Sequence, residues 1–388
     1  MLTATNKINK QKMRFLLIPD KFKGSVSSIQ VIESLKKGII RFDKSAKFTS
    51  ISISDGGDGF LESLKTIDNL DEIFLSGKDS LMRDIKTSYL LNKEKDTAYI
   101  ELANSSGLSK LENFEKNPLL TTTYGTGIEI KNAIDNGVKN IIIGIGGSST
   151  NDFGLGMMSA IGVLFLDKND NNLIPKGSNL SEIVKINFPD SIKHKISKIN
   201  WKVVNDVSNI TFGEKGCAKV YGKQKGASKA DIKFLEDSGI KLHEVLSEYF
   251  KKDISNIEGS GAAGASGYGL KLFTNCEFIN GIELIFDKSS INKHLLNNVY
   301  DYVITGEGRV DQQTLNGKAV QSIIDRIRKY KIPTIIICGK SLLNTSDFVN
   351  SNIEKIISLS TKNRKDTKLN TNTMKYIEED IYQYLKER

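Results

Sequence analysis

The sequence has few residues of the kinds that bind zinc or form disulfide frameworks. It contains three cysteines and three histidines in 388 residues. Cys217, Cys276 and Cys338 lie far apart in the chain, and no Cys-x-x-Cys pair occurs. Disulfide scaffolds and zinc modules need such residues in larger numbers or in close pairs. Their scarcity argues against both classes.

Long apolar stretches are also missing. The first thirteen residues are polar and basic, without the apolar core of a signal peptide. No later stretch approaches the ~18 consecutive apolar residues that a membrane-spanning helix requires. These features predict a cytoplasmic protein that does not insert into a membrane.

Basic residues exceed acidic residues by a modest margin. Lys and Arg number 55 and Asp and Glu number 46, which gives a formal net charge of +9. The excess is spread along the chain, without a basic tract or an aromatic RNA-binding motif, and we therefore expect no nucleic-acid partner. A basic surface would suit a small anionic substrate, although a Lys-rich composition can also have no functional meaning.

The length and the residue pattern predict two α/β domains. Domains commonly have about 100–200 residues, and the 39% apolar residues are enough for a sizeable core. Short β-branched runs alternate with Gly-rich turns and helical periodicity, which is typical of a parallel sheet. The expected strands are 15–18, 48–53, 141–143, 201–204, 302–304 and 334–337.

The chain order predicts that one domain is inserted into the other. Segments 14–73, 120–162 and 296–388 are expected to form a Rossmann-like parallel-sheet domain. Segments 74–119 and 163–295 are expected to form the inserted α/β domain, because 73–102 alternates like a hairpin and 164–295 carries long polar helices. In the first domain, Ser27 and Gln30 predict a capping box at the start of a helix.

Acidic residues follow several of these strands in Gly-rich loops. We expect the carboxyl ends of parallel strands to bring such loops to one sheet edge, which predicts a metal-phosphate site. Lys23 and Arg309 lie in the same class of loop and could neutralise a phosphate or bind a carboxylate. Each residue could also be an ordinary turn residue or a solvated surface charge. The six acids are Asp55, Asp58, Asp152, Asp206, Glu307 and Asp311.

The loop after 141–143 has the composition of a phosphate site. Two consecutive glycines let the backbone approach an anion closely, and three hydroxyl side chains follow them. A helix beginning near Gly154 would direct its N-terminus at the same anion. The same sequence could also be a plain connection between a strand and a helix.

Other common fingerprints are incomplete or misplaced. Residues 339–341 resemble the end of a P-loop, but Thr334 stands where its first Gly is needed. The segment 259–264, GSGAAG, matches a dinucleotide pattern but follows a polar stretch instead of a strand. We interpret that segment as a small-residue stretch that allows tight packing. Near matches to the G-x-S-x-G motif at 146–150 and 264–268 lack the final Gly.

Nine motifs in a fixed order resemble the type-1 glycerate kinase family over about residues 14–339. They are PDKFKGS (19–25), SDGGDG (54–59), ELANSSGL (101–108), TTYGTG (122–127), GIGGSSTND (144–152), NDV (205–207), YGKQKGA (221–227), GSGAAGASG (259–267) and ITGEGRVDQQTLNGK (304–318).

This resemblance implies two α/β domains, one Rossmann-like and one inserted, with the active site in the cleft between them. It also implies an ATP- and Mg²⁺-dependent kinase that converts D-glycerate to 2-phosphoglycerate. The residues it implies are Lys23, Asp206 and Arg309 for catalysis; Gly146, Gly147, Ser148, Ser149, Thr150, Asn151 and Asp152 for ATP; Asp20, Ser25 and Asp55 for the substrate; and Glu307 and Asp311 for the metal.

The chain departs from the family pattern at three places. Lys21 stands where the family often has Ser, Phe153 where Gly is frequent, and 208–211 where Asp-Asn-Pro-Leu is common. These changes leave the exact hydroxy-acid specificity open. An NAD-dependent hydroxy-acid dehydrogenase and a non-catalytic sugar-acid sensor are the alternative functions.

Overall fold

A computed structural model describes residues 12–22, 25–53, 56–297, 299–315, 319–361 and 372–388. The strands are β1 (Arg14–Leu17), β2 (Lys47–Ser50), β3 (Asp71–Lys78), β4 (Asp84–Leu91), β5 (Thr97–Glu101), β6 (Asn140–Gly144), β7 (Leu164–Leu166), β8 (Asn172–Leu173), β9 (Lys185–Asn187), β10 (Asn200–Val204), β11 (Glu277–Ile279), β12 (Tyr302–Val310), β13 (Thr334–Ser341) and β14 (Ile353–Ser358). The α-helices are α1 (Ser28–Phe42), α2 (Phe60–Lys65), α3 (Leu102–Ser106), α4 (Tyr124–Asp135), α5 (Leu155–Ile161), α6 (Asp190–Ser197), α7 (Cys217–Tyr221), α8 (Lys229–Phe250), α9 (Ala262–Thr274), α10 (Gly281–Lys288), α11 (Ile291–Leu296), α12 (Gln312–Leu315), α13 (Ala319–Ile327) and α14 (Thr373–Lys386).

The chain forms two compact units. Unit 1 consists of Met1–Ile53 and Ile285–Arg388, and unit 2 consists of Ser54–Leu284. Unit 2 is therefore one continuous insertion between β2 and the rest of unit 1, which confirms an inserted second α/β domain. The boundaries differ from the predicted ones: segments 54–73 and 120–162 lie in unit 2, and segment 285–295, expected in the inserted domain, lies in unit 1.

Unit 1 contains a parallel five-stranded sheet. Its strand order is β14-β13-β12-β1-β2, and every neighbouring pair is parallel. Numbered within the unit alone, this is the doubly wound order 2-1-3-4-5. The strand order reverses between β1 and β12, and ligands of such sheets bind outside the carboxyl ends of the strands at this point.

The helices of unit 1 cover a core made by the sheet. The predicted capping box is confirmed, since Ser27 accepts a hydrogen bond from the backbone of Gln30 and the Gln30 side chain bonds back to Ser27. Helix α1 packs closely against α14 at Gly38, where a Cβ atom would lie 2.4 Å from the carbonyl oxygen of Glu378. The buried apolar residues include Phe15, Leu17, Leu35, Ile39, Ile304, Ile335, Ile337 and Ile377.

Unit 2 contains a mixed six-stranded sheet in the order β11-β10-β6-β5-β4-β3. Strands β11, β10, β6 and β5 are parallel, and β3, β4 and β5 are joined as antiparallel neighbours, which confirms the predicted hairpin. Strand β6 lies between β5 and β10, and this pairing places it in unit 2. A separate three-stranded antiparallel sheet has the order β8-β7-β9.

Helix α9 begins with a kink where the dinucleotide-like segment ends. Ala263, Gly264 and Ala265 have left-handed φ values of 55°, 67° and 61°. A Cβ atom at Gly264 would lie 2.0 Å from the carbonyl oxygen of Thr150, so this segment packs directly against the loop after β6. The interpretation of 259–264 as tight packing is thereby confirmed. Within the described ranges, no helix has the length and apolar character needed to cross a membrane.

Candidate active site

The loop 146–152 follows β6 and contacts a second Gly-rich loop of unit 2. The backbone N–H of Gly146 donates to the carbonyl oxygen of Gly56 at 2.9 Å. A Cβ atom at Gly146 would lie 2.6 Å from the Cα atom of Gly57. Glycine is therefore required here because two backbones touch.

Gly147 is the exposed tip of this loop. It has a φ of +75°, which favours glycine, and a Cβ atom there would lie 3.0 Å from a carboxylate oxygen of Asp58. Its carbonyl oxygen accepts from the N–H of Leu108 at 2.8 Å. Among the described residues, the backbone N–H groups of Gly147 and Ser148 have no hydrogen-bond partner. Two consecutive unpaired N–H groups at an exposed glycine suit an anion.

The hydroxyl side chains after Gly147 are buried. The Ser149 hydroxyl donates to the carbonyl oxygen of Ser106 at 2.9 Å and holds the loop in place. The Oγ1 atom of Thr150 and the Nδ2 atom of Asn151 are buried without a hydrogen-bond partner among the described residues. Such unsatisfied polar atoms are costly in a protein interior. By contrast, the backbone N–H groups at the open position of Gly147 are placed to donate to an anion from outside.

Asp152 is completely buried, and its carboxylate binds backbone N–H groups and a hydroxyl of the surrounding protein. One carboxylate oxygen accepts from the N–H and the hydroxyl of Thr123, both at 2.7 Å, and from the N–H of Gly156 at 3.3 Å. The other accepts from the N–H of Gly154 at 3.2 Å. Burial raises the pKa of the Asp152 carboxyl, and these hydrogen bonds oppose the rise.

These contacts correct the expectation that α5 presents a free N-terminus to an anion. The helix begins at Leu155 as predicted, but the carboxylate of Asp152 already binds its first N–H groups. A charged cap of this kind satisfies donors that a helix leaves unpaired.

Sequence reasoning missed Lys225, which lies beneath the loop. Its ammonium group donates to the Ser148 hydroxyl at 2.8 Å and to the carbonyl oxygen of Thr150 at 2.6 Å. The side chain is only 3% exposed. The two nearby glycines, Gly222 and Gly226, were the available signal of a tightly packed turn. A lysine is usually exposed, however, so its residue type predicts a surface position.

Asp206 lies in unit 2, directly after β10. It is exposed, and one carboxylate oxygen accepts from the N–H of Gly281 at 3.1 Å, at the first residue of α10. The neighbouring Asn205 stabilises the turn, since its side chain accepts from the N–H of Val207 at 3.1 Å. The Asp206 carboxylate is therefore positioned by the backbone at the start of α10 while remaining accessible to solvent.

The substrate residues predicted from the PDKFKGS motif follow β1 in unit 1. Asp20 is partly exposed, accepts from the N–H of Lys21 at 2.7 Å, and donates its own N–H to the carbonyl oxygen of Gly306. The Ser25 hydroxyl lies 3.1 Å from that of Thr373. Asp20 thus lies at the reversal point between β1 and β12. Lys23 and Asp55, also predicted for the site, lie outside the described residues.

The acidic motif of unit 1 is part of a strand instead of a loop. Strand β12 continues to Val310 and pairs with β13 as far as Ser341, so Glu307 and Arg309 are strand residues. Because side chains alternate along a strand, Glu307 and Arg309 share one face, and Val310 is buried on the other. The expectation of a loop after 302–304 is wrong because two glycines were interpreted as turn residues.

Glu307 and Asp311 each have a nearby polar partner. The Thr314 hydroxyl donates to Glu307 at 2.6 Å, and the Nε atom of Arg309 lies 3.0 Å from a carboxylate oxygen of Asp311. The N–H of Gln313 donates to the other oxygen of Asp311 at 2.9 Å. The Arg309 side chain is 62% exposed and that of Asp311 is 22% exposed.

The carboxylates of Glu307 and Asp311 are of the kind that could contribute to a magnesium site completed by substrate phosphates and water. Within the described part of the chain, no group of three or more His, Cys, Asp or Glu side chains is arranged to bind a metal ion. Magnesium is commonly bound by one or two carboxylates together with substrate phosphates and water. Glu307 and Asp311 supply hard oxygen ligands of that kind.

The predicted acids do not follow the strands of a single sheet. Asp58, Asp152 and Asp206 belong to unit 2 with its six-stranded sheet, whereas Glu307 and Asp311 belong to the five-stranded sheet of unit 1. The expectation of one shared sheet edge is therefore wrong. Each unit instead carries its own group of polar residues: the loop 146–152, Lys225 and Asp206 in unit 2, and Asp20, Ser25, Glu307, Arg309 and Asp311 in unit 1.

Known proteins resemble the chain over most of its length. The model of the glycerate kinase family matches residues 15–386. A glycerate kinase of Halalkalibacterium halodurans is 37% identical, over 84% of each chain. The glycerate 2-kinase of Escherichia coli K12 is 33% identical, over 84% of this chain and 85% of that one.

A solved structure agrees with these sequence relationships. The crystal structure of a glycerate kinase 2 candidate from Salmonella typhimurium LT2 matches with a TM-score of 0.78 and 28% identity, over 97% of both chains. Shared sequence and fold across nearly the entire length agree with the ordered motifs. The chain therefore belongs to the glycerate kinase family and is an enzyme of the kinase class.

Proposed function

We propose that the enzyme transfers the γ-phosphoryl group of ATP to the 2-hydroxyl of D-glycerate and releases 2-phosphoglycerate and ADP. The observation that carries this proposal is the exposed Gly147, where the N–H groups of Gly147 and Ser148 have no partner within the described part of the chain. The glycerate 2-kinase of Escherichia coli supports the choice of acceptor and position. Small-molecule substrates and a cytoplasmic location go with this function as predictions.

The loop 146–152 is proposed to bind the phosphates of ATP. Backbone N–H groups and the Ser148 hydroxyl would donate to phosphate oxygens, while the buried residues of the loop hold its shape. The carboxylate of Asp58 lies beside Gly147 and would repel a phosphate by itself. A bound Mg²⁺ would offset this repulsion.

Glu307 and Asp311 are proposed to hold Mg²⁺. Bound there, the metal would neutralise charge on the phosphates during transfer. Arg309 can exchange its contact with Asp311 for the substrate carboxylate or the transferring phosphoryl group, because its guanidinium is largely exposed. Lys23 is proposed to add a second positive charge, and Asp20, Ser25 and Asp55 to bind glycerate.

Asp206 is proposed to accept the proton of the 2-hydroxyl. The hydroxyl oxygen attacks the γ-phosphorus, the bond from that phosphorus to the bridging oxygen breaks, and ADP leaves with the electron pair. The proton passes to the Asp206 carboxylate. Phosphoryl transfer asks for orientation of the nucleophile more than for strong deprotonation, so the exposed carboxylate of Asp206 can serve as the proton acceptor.

A coupled assay of ADP release with and without D-glycerate tests this function. We expect release that depends on glycerate, on ATP and on Mg²⁺, and phosphorus NMR should identify 2-phosphoglycerate. Finding 3-phosphoglycerate would overturn the position of transfer. NADH-dependent turnover of hydroxypyruvate would favour a dehydrogenase, and glycerate binding without any turnover would favour a sensor.

A further inference from the structure

Lys225 occupies a closely packed turn between α7 and α8. A Cβ atom at Gly226 would lie 2.0 Å from the carbonyl oxygen of Lys116, and one at Gly222 would lie 2.4 Å from that of Ala218. The backbone on both sides of Lys225 is thus tightly confined. The side chain of Lys225 points into the protein, and the residue is 3% exposed.

The Lys225 ammonium contacts the loop at two points. It donates to the Ser148 hydroxyl oxygen at 2.8 Å and to the Thr150 carbonyl oxygen at 2.6 Å. Since the Ser148 oxygen accepts this bond, the hydroxyl hydrogen is free to be donated to another acceptor. Hydrogen bonds from a charged donor polarise the group that accepts them, which makes Ser148 a better donor.

Few charges surround this ammonium. The titratable groups that act on it are Asp152 of the loop and Cys217 of α7, and Glu236 of α8 acts in turn on Cys217. Burial raises the pKa of the Cys217 thiol to about 12, so that group is neutral in the physiological range. Burial also lowers the pKa of Lys225 to about 8. At neutral pH the lysine is therefore mainly a cation beneath the loop.

We propose that Lys225 is the positioning residue of the nucleotide-binding loop: its buried ammonium fixes Ser148 and Thr150 and adds positive charge beneath the phosphates of ATP. This inference rests on the proposed function of the loop. Bound phosphates would interact with the charge through a water-poor interior, where electrostatic attraction is stronger than at the surface. A purely structural lysine would hold the loop without responding to the nucleotide.

The test compares Lys225→Met with Lys223→Met, which removes an exposed lysine two residues away in the same turn. Calorimetry gives the Kd for MgATP, and steady-state kinetics give kcat and the KM for glycerate. We expect Lys225→Met to weaken ATP binding by about tenfold or more and to leave the KM for glycerate nearly unchanged. Lys223→Met should match the parent protein. Equal ATP affinity in folded Lys225→Met and Lys223→Met would overturn the inference.

The unmodified enzyme provides a second test that does not depend on a variant folding. Its affinity for MgATP should decline as the pH rises through about 8, where Lys225 loses its proton. Calorimetry at pH 8 in buffers of different ionisation enthalpy should show proton uptake when ATP binds. Absence of both effects would refute the role of Lys225, whereas absence of glycerate-dependent ADP release would refute the proposed function instead.

Discussion

The loop after β6 and the end of β12 both carry an aspartate near a Gly-rich stretch, but the two acids have opposite surroundings. Asp152 is completely buried and its oxygens accept hydrogen bonds from Thr123, Gly154 and Gly156. Asp311 is 22% exposed and contacts the largely exposed guanidinium of Arg309. Similar local sequences therefore have different uses. Asp152 stabilises the backbone of its loop in unit 2, whereas Asp311 in unit 1 stays partly accessible to solvent.

The difference in burial sets what each acid can do. Asp311 is only partly exposed, but its partner Arg309 is 62% exposed. An ion pair with such an exposed partner contributes only about 0–1 kcal/mol, so Asp311 can exchange Arg309 for a metal at small cost. Donors left unpaired in the interior cost ~1–3 kcal/mol each, so Asp152 cannot leave its partners. We expect exposed acids to control the rate and the buried acid to control stability.

The largest effect is expected from Asp206→Asn. Asparagine keeps the shape of the side chain and can still accept from Gly281, but it cannot accept the substrate proton. Loss of an oriented base should lower kcat by ~10²–10⁴-fold with little change in the Mg²⁺ requirement. Steady-state kinetics over a Mg²⁺ titration measure this. Asp190→Asn, an exposed acid at the start of α6, is the control, and a near-normal kcat in Asp206→Asn would exclude the base role.

Asp152→Ala should lower the stability of the protein, in contrast to Asp206→Asn, which should lower kcat. Removing the carboxylate leaves buried N–H groups of α4 and α5 without an acceptor, which should lower the free energy of unfolding by about 3 kcal/mol. Urea denaturation measures the loss, with Asp237→Ala on the exposed side of α8 as the control. If the variant is as stable as the parent protein but has lost activity, Asp152 has a catalytic or binding role. That result would contradict the contrast between a stabilising buried acid and rate-controlling exposed acids.

Asp311→Asn separates the metal role from the structural role. Asparagine can still accept from the N–H of Gln313, so stability should change little. The Mg²⁺ concentration for half-maximal rate should rise by roughly 10–100-fold. Activity measured against Mg²⁺ decides the matter: a lower rate with an unchanged Mg²⁺ dependence would remove Asp311 from the metal site.

The smallest of these effects is expected from Gly147→Val. A branched side chain at a φ of +75° is strained and would occupy the space where the anion approaches, so the Kd for ATP should rise by about tenfold. Gly137→Val introduces the same side chain at a φ of +80° with nothing within 4 Å of its Cβ position. Unchanged ATP affinity in a folded Gly147→Val protein would mean that the loop serves packing alone.

Local patterns in the sequence predicted the strands and helix starts near the site. The capping box of α1 and the isoleucine run of β6 depend on neighbouring residues, and both are confirmed. Pairing partners were less predictable. Strand β6 joins β5 and β10, which depends on contacts distant in sequence, and the domain boundaries therefore differ from the predicted ones.

Roles that depend on burial were the hardest to predict. Aspartate and lysine are residue types that usually lie at the surface, but Asp152 and Lys225 are buried by contacts with residues distant in the sequence. Phe153 shows the same limit. It stands where the family often has glycine, and its φ of +58° explains that preference. The phenylalanine is kept in this strained conformation by packing against Phe212 and Tyr268.

The single insertion of unit 2 also determines an order of events during synthesis. The ribosome completes all of Ser54–Leu284 before it makes β12, β13 and β14. Of these strands, β12 pairs with β1, and β13 and β14 extend the sheet from β12. Unit 2 can begin to fold as a continuous segment as it emerges, since domains generally fold as units. Strands β1 and β2 are made early and pair with each other, but the other edge of β1 has no partner strand until β12 is made.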